Sequence, residues 1–215
     1  MLCCAAAMTL YVPAPNEERD PERLLAFIER HPFATFVTPA TDGLFVSHVP
    51  MLARLQDGAL VITGHLARAN PHWRTLGDAP STAIFHGPHA YVSPTWYATA
   101  PAVPTWNYAV VHVTGVARAD EDTAATEAHV AELVARFETG PGAWSPASVP
   151  SDYSGSLARA IVAFELRAAR VEGKLKLGQN RSADDRRGVI ERLEREGGDA
   201  GRALATMMRA AVPSS

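Results

Sequence analysis

A β-rich α+β fold, with a closed or nearly closed antiparallel barrel as its natural solution, is what this sequence predicts. Three observations carry that expectation. The 215 residues are 47% hydrophobic and 20% charged, which supports a sizeable core and excludes a disordered chain. Three early strand-like segments are joined by two tight-turn signals, the mark of an antiparallel meander. More strand-like segments follow, and few helical ones, so the strands need one another to cover their edges.

Each element has a local reason. Asp20 is a good N-cap, Pro21 suits the first helical position, and Leu24, Leu25, Phe27 and Ile28 share a face before Pro32 ends the helix. Residues 33–38 read as a strand, Asp42-Gly43 as a hairpin turn and 45–55 as the return strand. Asp57-Gly58 then turns into a strand over 59–63, which Gly64 is expected to end. Asn70-Pro71 starts a short helix over 71–76, with Gly77 as its stop. Two short strands, 81–86 and 90–93, flank Gly87-Pro88, and an aromatic, proline-rich loop fills 94–106. Residues 108–117 alternate with period two and form the clearest strand. A helix over 121–137, a loop over 140–150 and a last strand over 161–171 follow, and then a charged helical tail. The expected division is a domain over 1–180 and a helical tail over 181–215.

Composition limits the function. The net charge is -3 and the pI near 6.2, so no global basic field attracts nucleic acid. Between residues 181 and 202 six arginines face six acids, which reads as a solvated helix face. No apolar run is long enough for a membrane span. Cys3 and Cys4 are the only cysteines, so a cysteine zinc cage is excluded and a reducing, cytoplasmic setting is the expectation. Met1–Met8 makes a poor signal peptide, and Met8 is the expected natural start. The histidines show no ligand spacing, and no Gly-x-Ser-x-Gly elbow occurs, so neither a metal site nor a catalytic side chain is expected.

Three segments could carry chemistry. In 63–73 a strand ends near Gly64 and His65, Arg68 follows, and Asn70 opens a helix. Helix-start N–H groups beside a guanidinium suit a phosphate, and the competing reading is a plain connection with a surface arginine that adds little to the fold. In 87–97 and 103–108, Tyr91, Trp96, Tyr97 and Trp106 are interleaved with Ser93, Thr105 and Asn107. They could line a slot for a planar polar ring, or plug a core, or cover a dimer interface. In 171–181, lysines stand beside the amides of Gln179 and Asn180 at the end of the last strand, where a phosphate, a heterocycle edge or only solvent could meet them.

Taken in order, several stretches resemble one family. They are Met8-Thr-Leu-Tyr-Val-Pro, Ser47-His-Val-Pro, Gly64-His-Leu-Ala-Arg-Ala-Asn-Pro, Gly87-Pro-His-Ala-Tyr-Val-Ser-Pro-Thr-Trp-Tyr, Val103-Pro-Thr-Trp-Asn-Tyr and Lys174 to Arg181. The family is the PaiB-type FMN-binding negative transcriptional regulators, whose fold is similar to the FMN-binding split barrel of pyridoxamine phosphate oxidases. The chain departs from the family pattern at His72, where glutamine is usual, and at Gly178, where serine is usual.

The resemblance implies a homodimeric split barrel with FMN as cofactor. On that basis Arg68, Asn70 and the start of the short helix serve the phosphate, and Gly64 and His65 beside them also bind the cofactor. Tyr91, Val92 and Ser93, with Thr105, Trp106 and Asn107, serve the ring and ribityl chain, and Lys174, Gln179 and Asn180 close the site. Any redox chemistry belongs to the flavin, giving an FMN-dependent oxidoreductase or a flavin-sensing repressor; the alternative is a haem-handling split barrel. DNA enters as a partner through the family label alone, and the charge balance gives it no support.

Overall fold

The structure, a computed structural model, describes residues 10–145 and 148–211; Cys3, Cys4 and the Met8 start lie outside the described residues. A two-residue strand, β1 (Glu17–Glu18), precedes helix α1 (Pro21–Arg30). The helix begins where its cap requires: the Asp20 carboxylate accepts from the amides of Glu22 (2.9 Å) and Arg23 (3.4 Å). Strands β2 (Phe33–Ala40), β3 (Gly43–Pro50), β4 (Leu52–Gln56), β5 (Ala59–Ala67), β6 (Ser81–Val92) and β7 (Thr105–Asp120) follow. Then come α2 (Thr123–Phe137), α3 (Ser151–Arg159), β8 (Ile161–Lys176), α4 (Ala183–Glu196) and α5 (Gly198–Ala210).

Two compact units are built from separate stretches of chain. One, the sheet unit, comprises Leu25–Phe85 and His112–Val171. The other, the tail unit, comprises the described parts of 1–24, 86–111 and 172–215. The helical tail is therefore α4 and α5, which share a unit with residues from the middle of the chain.

In the sheet unit the strand order is β3-β2-β6-β7-β8-β5-β4, an antiparallel sheet whose ends are β3 and β4. The expected meander is corrected here. β3 pairs only with β2, and β4 pairs with β5, so the expected 45–55 strand is two strands serving opposite ends of the order. The break has a cause at Pro50-Met51. Proline offers no ladder donor, and the Met51 amide turns away to the Pro32 carbonyl (2.9 Å). Asp57 (φ 51°) and Gly58 (φ 75°) form the expected two-residue turn between β4 and β5.

Gly64 does not end β5, which runs to Ala67. The Phe164 ring lies where a Gly64 side chain would be, with ring atoms 2.6 and 2.9 Å from an added Cβ. Phe164 in turn stacks parallel on Phe36, with centroids 4.7 Å apart. These residues form the core with Ile62, Leu66, Phe85, Val162 and Leu166. The two strands expected around Gly87-Pro88 are one, β6, which passes through the proline. The 140–150 loop leads into α3, a helix the sequence pattern had not marked.

The core of the tail unit is Val92, Leu177, Val189, Ile190, Leu193, Leu204, Ala205 and Met208. The hydroxyl of Ser182 caps α4 by accepting from the Asp185 amide (3.1 Å). Gly198, at φ 60°, lets the chain reverse into α5. Among the described residues no helix is long and apolar enough to cross a membrane.

Candidate functional site

The thirteen residues expected at the cofactor fall into both units, and each group has its own geometry. Gly64, His65, Arg68 and Asn70 belong to the sheet unit. Arg68 is not a loose surface arginine. Its Nε donates to the Arg159 carbonyl (3.0 Å), Nη1 to the Glu121 carboxylate (3.1 Å) and Nη2 to the Ile161 carbonyl (3.5 Å). It pins the end of β5 to the approach to β8, and its own carbonyl accepts from the Trp73 indole (3.0 Å). Two of its five N–H groups remain for an anion.

Asn70 is similarly engaged. Its Oδ1 accepts from the His72 amide (3.1 Å) and its Nδ2 donates to Ser47 Oγ (3.0 Å). The short helix it caps is a single 3-10 turn, Pro71–Thr75. His72, the departure from the family pattern, is fully buried. Its ring bridges Ser47 Oγ (2.9 Å) and Thr38 Oγ1 (2.8 Å), and Thr38 continues the chain to Ser81 Oγ (2.7 Å). The ring also stacks between Phe36 and Phe45, at 5.0 and 5.4 Å. Burial pushes its pKa down, so it works as a neutral bridge.

His65 faces the buried His129 of α2, with ring centroids 5.4 Å apart. Both ring nitrogens of His129, Nδ1 of His65 and Oγ1 of Thr63 are buried without a protein partner. Burial, and then the neighbouring His65, lower the His129 pKa to about 4. Burial also lowers that of His65.

The other nine candidates lie in the tail unit, where the ends of β6, β7 and β8 are neighbours in the strand order. Strand alternation sorts them. Tyr91 and Trp106 point one way, 44% and 54% exposed, with their rings edge to face at 6.1 Å. His89 joins them, 6.2 Å from Trp106. Val92 and Asn107 point the other way and are buried. Val92 sits in the core, and Asn107 donates to Met208 Sδ (3.6 Å).

Lys174 is buried, donates to the Tyr11 carbonyl (2.7 Å), and stands 5.3 and 5.4 Å from the ring centres of Tyr11 and Tyr108. Lys176 donates to Thr105 Oγ1 (2.6 Å). Gln179 turns back on the strand it follows, accepting from the Leu177 amide (2.8 Å) and donating to the Leu175 carbonyl. Ser93 caps the Pro94–Trp96 turn through the Thr95 amide (3.3 Å). Asn180 is exposed.

Sequence reasoning passed over Tyr108, Tyr11 and Lys176 as site residues. A period-two reading of 106–108 and of 174–176 would have found Tyr108 and Lys176. Nothing local marks Tyr11, which reaches Lys174 from 163 residues away.

Residues 10–170 match the family model described as "Putative FMN-binding domain". The chain is 32% identical to the protease synthase and sporulation protein PAI 2 of Bacillus subtilis, over 93% of this chain and 96% of that one. It is 28% identical to an uncharacterized protein of Emericella nidulans, AN0679, over 93% and 96%. Among solved structures, the flavocytochrome Anf3 from Azotobacter vinelandii aligns with a TM-score of 0.57 at 18% identity, covering 74% of this chain and 68% of that one. The FAD and haem binding protein from Mycobacterium smegmatis aligns with a TM-score of 0.57 at 17% identity, covering 80% and 78%. At those identities the likeness is one of fold.

Proposed function

The chain belongs to the FMN-binding domain family, as a split barrel of the PaiB type, and from that premise we propose that its flavin lies against the Tyr91–Trp106 face of the tail unit. The carrying observation is the half-exposed pair Tyr91 and Trp106, two large aromatic rings held open to solvent by strand alternation. Flat aromatic surface of this kind suits a planar heterocycle. Two amines lie on the same strand ends, Lys174 beside the Tyr108 ring and Lys176 on the Thr105 hydroxyl. Positive charge there suits a ring system that gains electron density.

Bound FMN supplies hydride or single-electron chemistry at its ring. The chain supplies position and electrostatics. Trp106 and Tyr91 offer stacking area, and Lys174 holds its cation between two tyrosine rings. Val92, Asn107 and Gln179, whose side chains are taken up by the fold, brace the strand ends from behind. This reading makes the protein an FMN-dependent oxidoreductase, with flavin sensing by a repressor as its rival. Arg68 and Asn70, in the sheet unit, are a separate candidate seat for a flavin phosphate through the N–H groups those side chains have left, tested on its own below.

A titration of the purified protein with FMN and with riboflavin tests the ring assignment. Trp106→Ala should weaken both alike, by about five- to a hundred-fold for the roughly 1–3 kcal/mol of one base-like stacking contact. Unchanged affinity for both would move the ring elsewhere. A homodimer is proposed from the same surface, since Val103, Trp106 and Tyr91 together expose apolar area of the kind usually covered. Light scattering at the mass of a single 23.0 kDa chain would refute it. The haem alternative draws on the two neighbours whose own names include haem or cytochrome and on His89, exposed beside Trp106. An intense haem absorption band in the purified protein, in place of a flavin spectrum, would favour it.

A further inference from the structure

The balanced charge count of the C-terminal helices hides an unbalanced distribution. In the folded tail unit Asp184 pairs with Arg187, Glu194 with Arg209, Asp199 with Arg202, and Glu196 with both Arg192 and Arg195. Asp185 is spent on a neutral partner: its carboxylate accepts from the Thr99 amide (2.9 Å) and hydroxyl (2.7 Å). Among the described residues Arg181 and Arg186 are left with no carboxylate. The Arg181 guanidinium lies over the Tyr97 ring, 4.3 Å from its centre. Arg186 is 8% exposed and donates to the Met208 carbonyl (2.6 Å). Burial pushes its pKa below the usual arginine range, the sign of a cation short of compensation.

These two arginines line one groove with Arg187 and Arg209. Ile190 and Gln179 also line it, and its volume is about 540 Å³. The carboxylates of Asp184 and Glu194 offset Arg187 and Arg209, so two positive charges in the groove stay uncompensated. We propose that this groove binds the diphosphate of a nucleotide, through the guanidinium groups of Arg181 and Arg186.

The chemistry selects that class. Planar guanidinium forks match phosphate oxygens in pairs. Two uncompensated cations side by side match a group carrying at least two negative charges; a monocarboxylate would neutralise only one. The groove falls within the size range of small-molecule sites, roughly 300–1,000 Å³, and is larger than a bare phosphate needs. The apolar side chains of Ala183 and Ile190 leave somewhere for an organic portion to pack. Duplex DNA fits less well, because the remaining arginines of α4 and α5 pair with acids of the same two helices. The proposal requires only that the flavin's own phosphate sit outside this groove.

Calorimetric titration of the full chain with ADP and with inorganic pyrophosphate tests it. Both should bind, more weakly as salt is raised, and Arg181→Gln should weaken both by about ten- to a hundred-fold. Arg181 serves as the main variant because Arg186→Gln removes a buried contact to α5 and can cost the fold. Arg202→Gln, on α5 but outside the groove, should leave both affinities unchanged. The proposal is overturned if wild type binds neither probe, if Arg181→Gln binds as wild type does, or if Arg202→Gln loses as much. It is also overturned if FMN displaces ADP while riboflavin does not, because the groove is then the seat of the flavin's own phosphate. A short DNA duplex that binds through Arg181 in place of ADP overturns it as well.

Discussion

Replacing Arg68 by alanine separates two duties of one side chain. The structural duty is visible: one good bond to the Arg159 carbonyl, an ion pair to Glu121, and a long bond to Ile161. The side chain is 38% exposed and that of Glu121 62%, so the ion pair counts for little, roughly 0–1 kcal/mol. The carbonyl bonds to a charged donor add about 1 kcal/mol at this exposure. The total is about 1–2 kcal/mol, which for a chain of this size lowers the melting temperature by roughly 2–8 °C. The sequence alone implied almost no change.

The binding duty is the proposed one. If the two unused N–H groups of Arg68 meet the FMN phosphate, Arg68→Ala weakens FMN by about ten- to a hundred-fold and leaves riboflavin alone. Arg68→Lys should recover only part of either effect, since an ammonium cannot reproduce the fork. Thermal melts without ligand and titrations with both flavins, done well below the lowered melting temperature, read the two duties independently. A melting temperature within a degree of wild type would refute the structural argument. Equal loss of FMN and riboflavin would refute the phosphate assignment.

Acid should destabilise the sheet unit through His129. The unfolded chain binds that proton near pH 6.5 and the folded chain near 4, so the stability is fully present above about 6.5 and is lost as pH falls toward 4, by up to roughly 3 kcal/mol. His129→Leu should flatten the melting temperature over that interval, and an unchanged pH profile would contradict the assignment. Gly178 stands at φ 76°, and an added Cβ would meet nothing closer than 3.8 Å. Gly178→Ser therefore costs backbone strain and no clash, about 1–2 kcal/mol, and should lower the melting temperature by a few degrees. A serine variant that melts above wild type would show that the hydroxyl finds a strong partner.

The parts of the fold that were legible are those fixed by neighbours in sequence. Asp20-Pro21 and Asp57-Gly58 specify a helix start and a hairpin with the residues they contain, and both stand where expected. The split of the 45–55 strand was not legible, because its cause includes the Pro32 carbonyl, and because β4 finds its partner in β5. Gly64 reads as a strand end until Phe164, a hundred residues away, is known to lie over it. The candidate site divides in the same way. Tyr91 stands on a strand as expected, whereas Trp106, expected in the 94–106 loop, lies on β7, which begins at Thr105. The fate of Arg68 depends on carbonyls 91 and 93 residues distant. The charge count of α4 and α5 could not reveal that Asp185 goes to Thr99, a choice made 86 residues apart.

The core of the tail unit joins Val92 to Leu177 and to residues of α4 and α5. Both helices follow every strand in the sequence. Without them Val92 on β6 would lose most of its core partners, and the strand ends that carry Tyr91 and Trp106 would lose their backing. Contacts this distant in sequence also form slowly, because a long loop must close before any of them contributes. The sheet unit draws its last stretch from residues 112–171 and needs neither helix, whereas the aromatic face proposed for the flavin belongs to the unit that contains both. A truncation that removes α4 and α5 should therefore strip the support from the face proposed for the flavin while leaving every strand in the sequence.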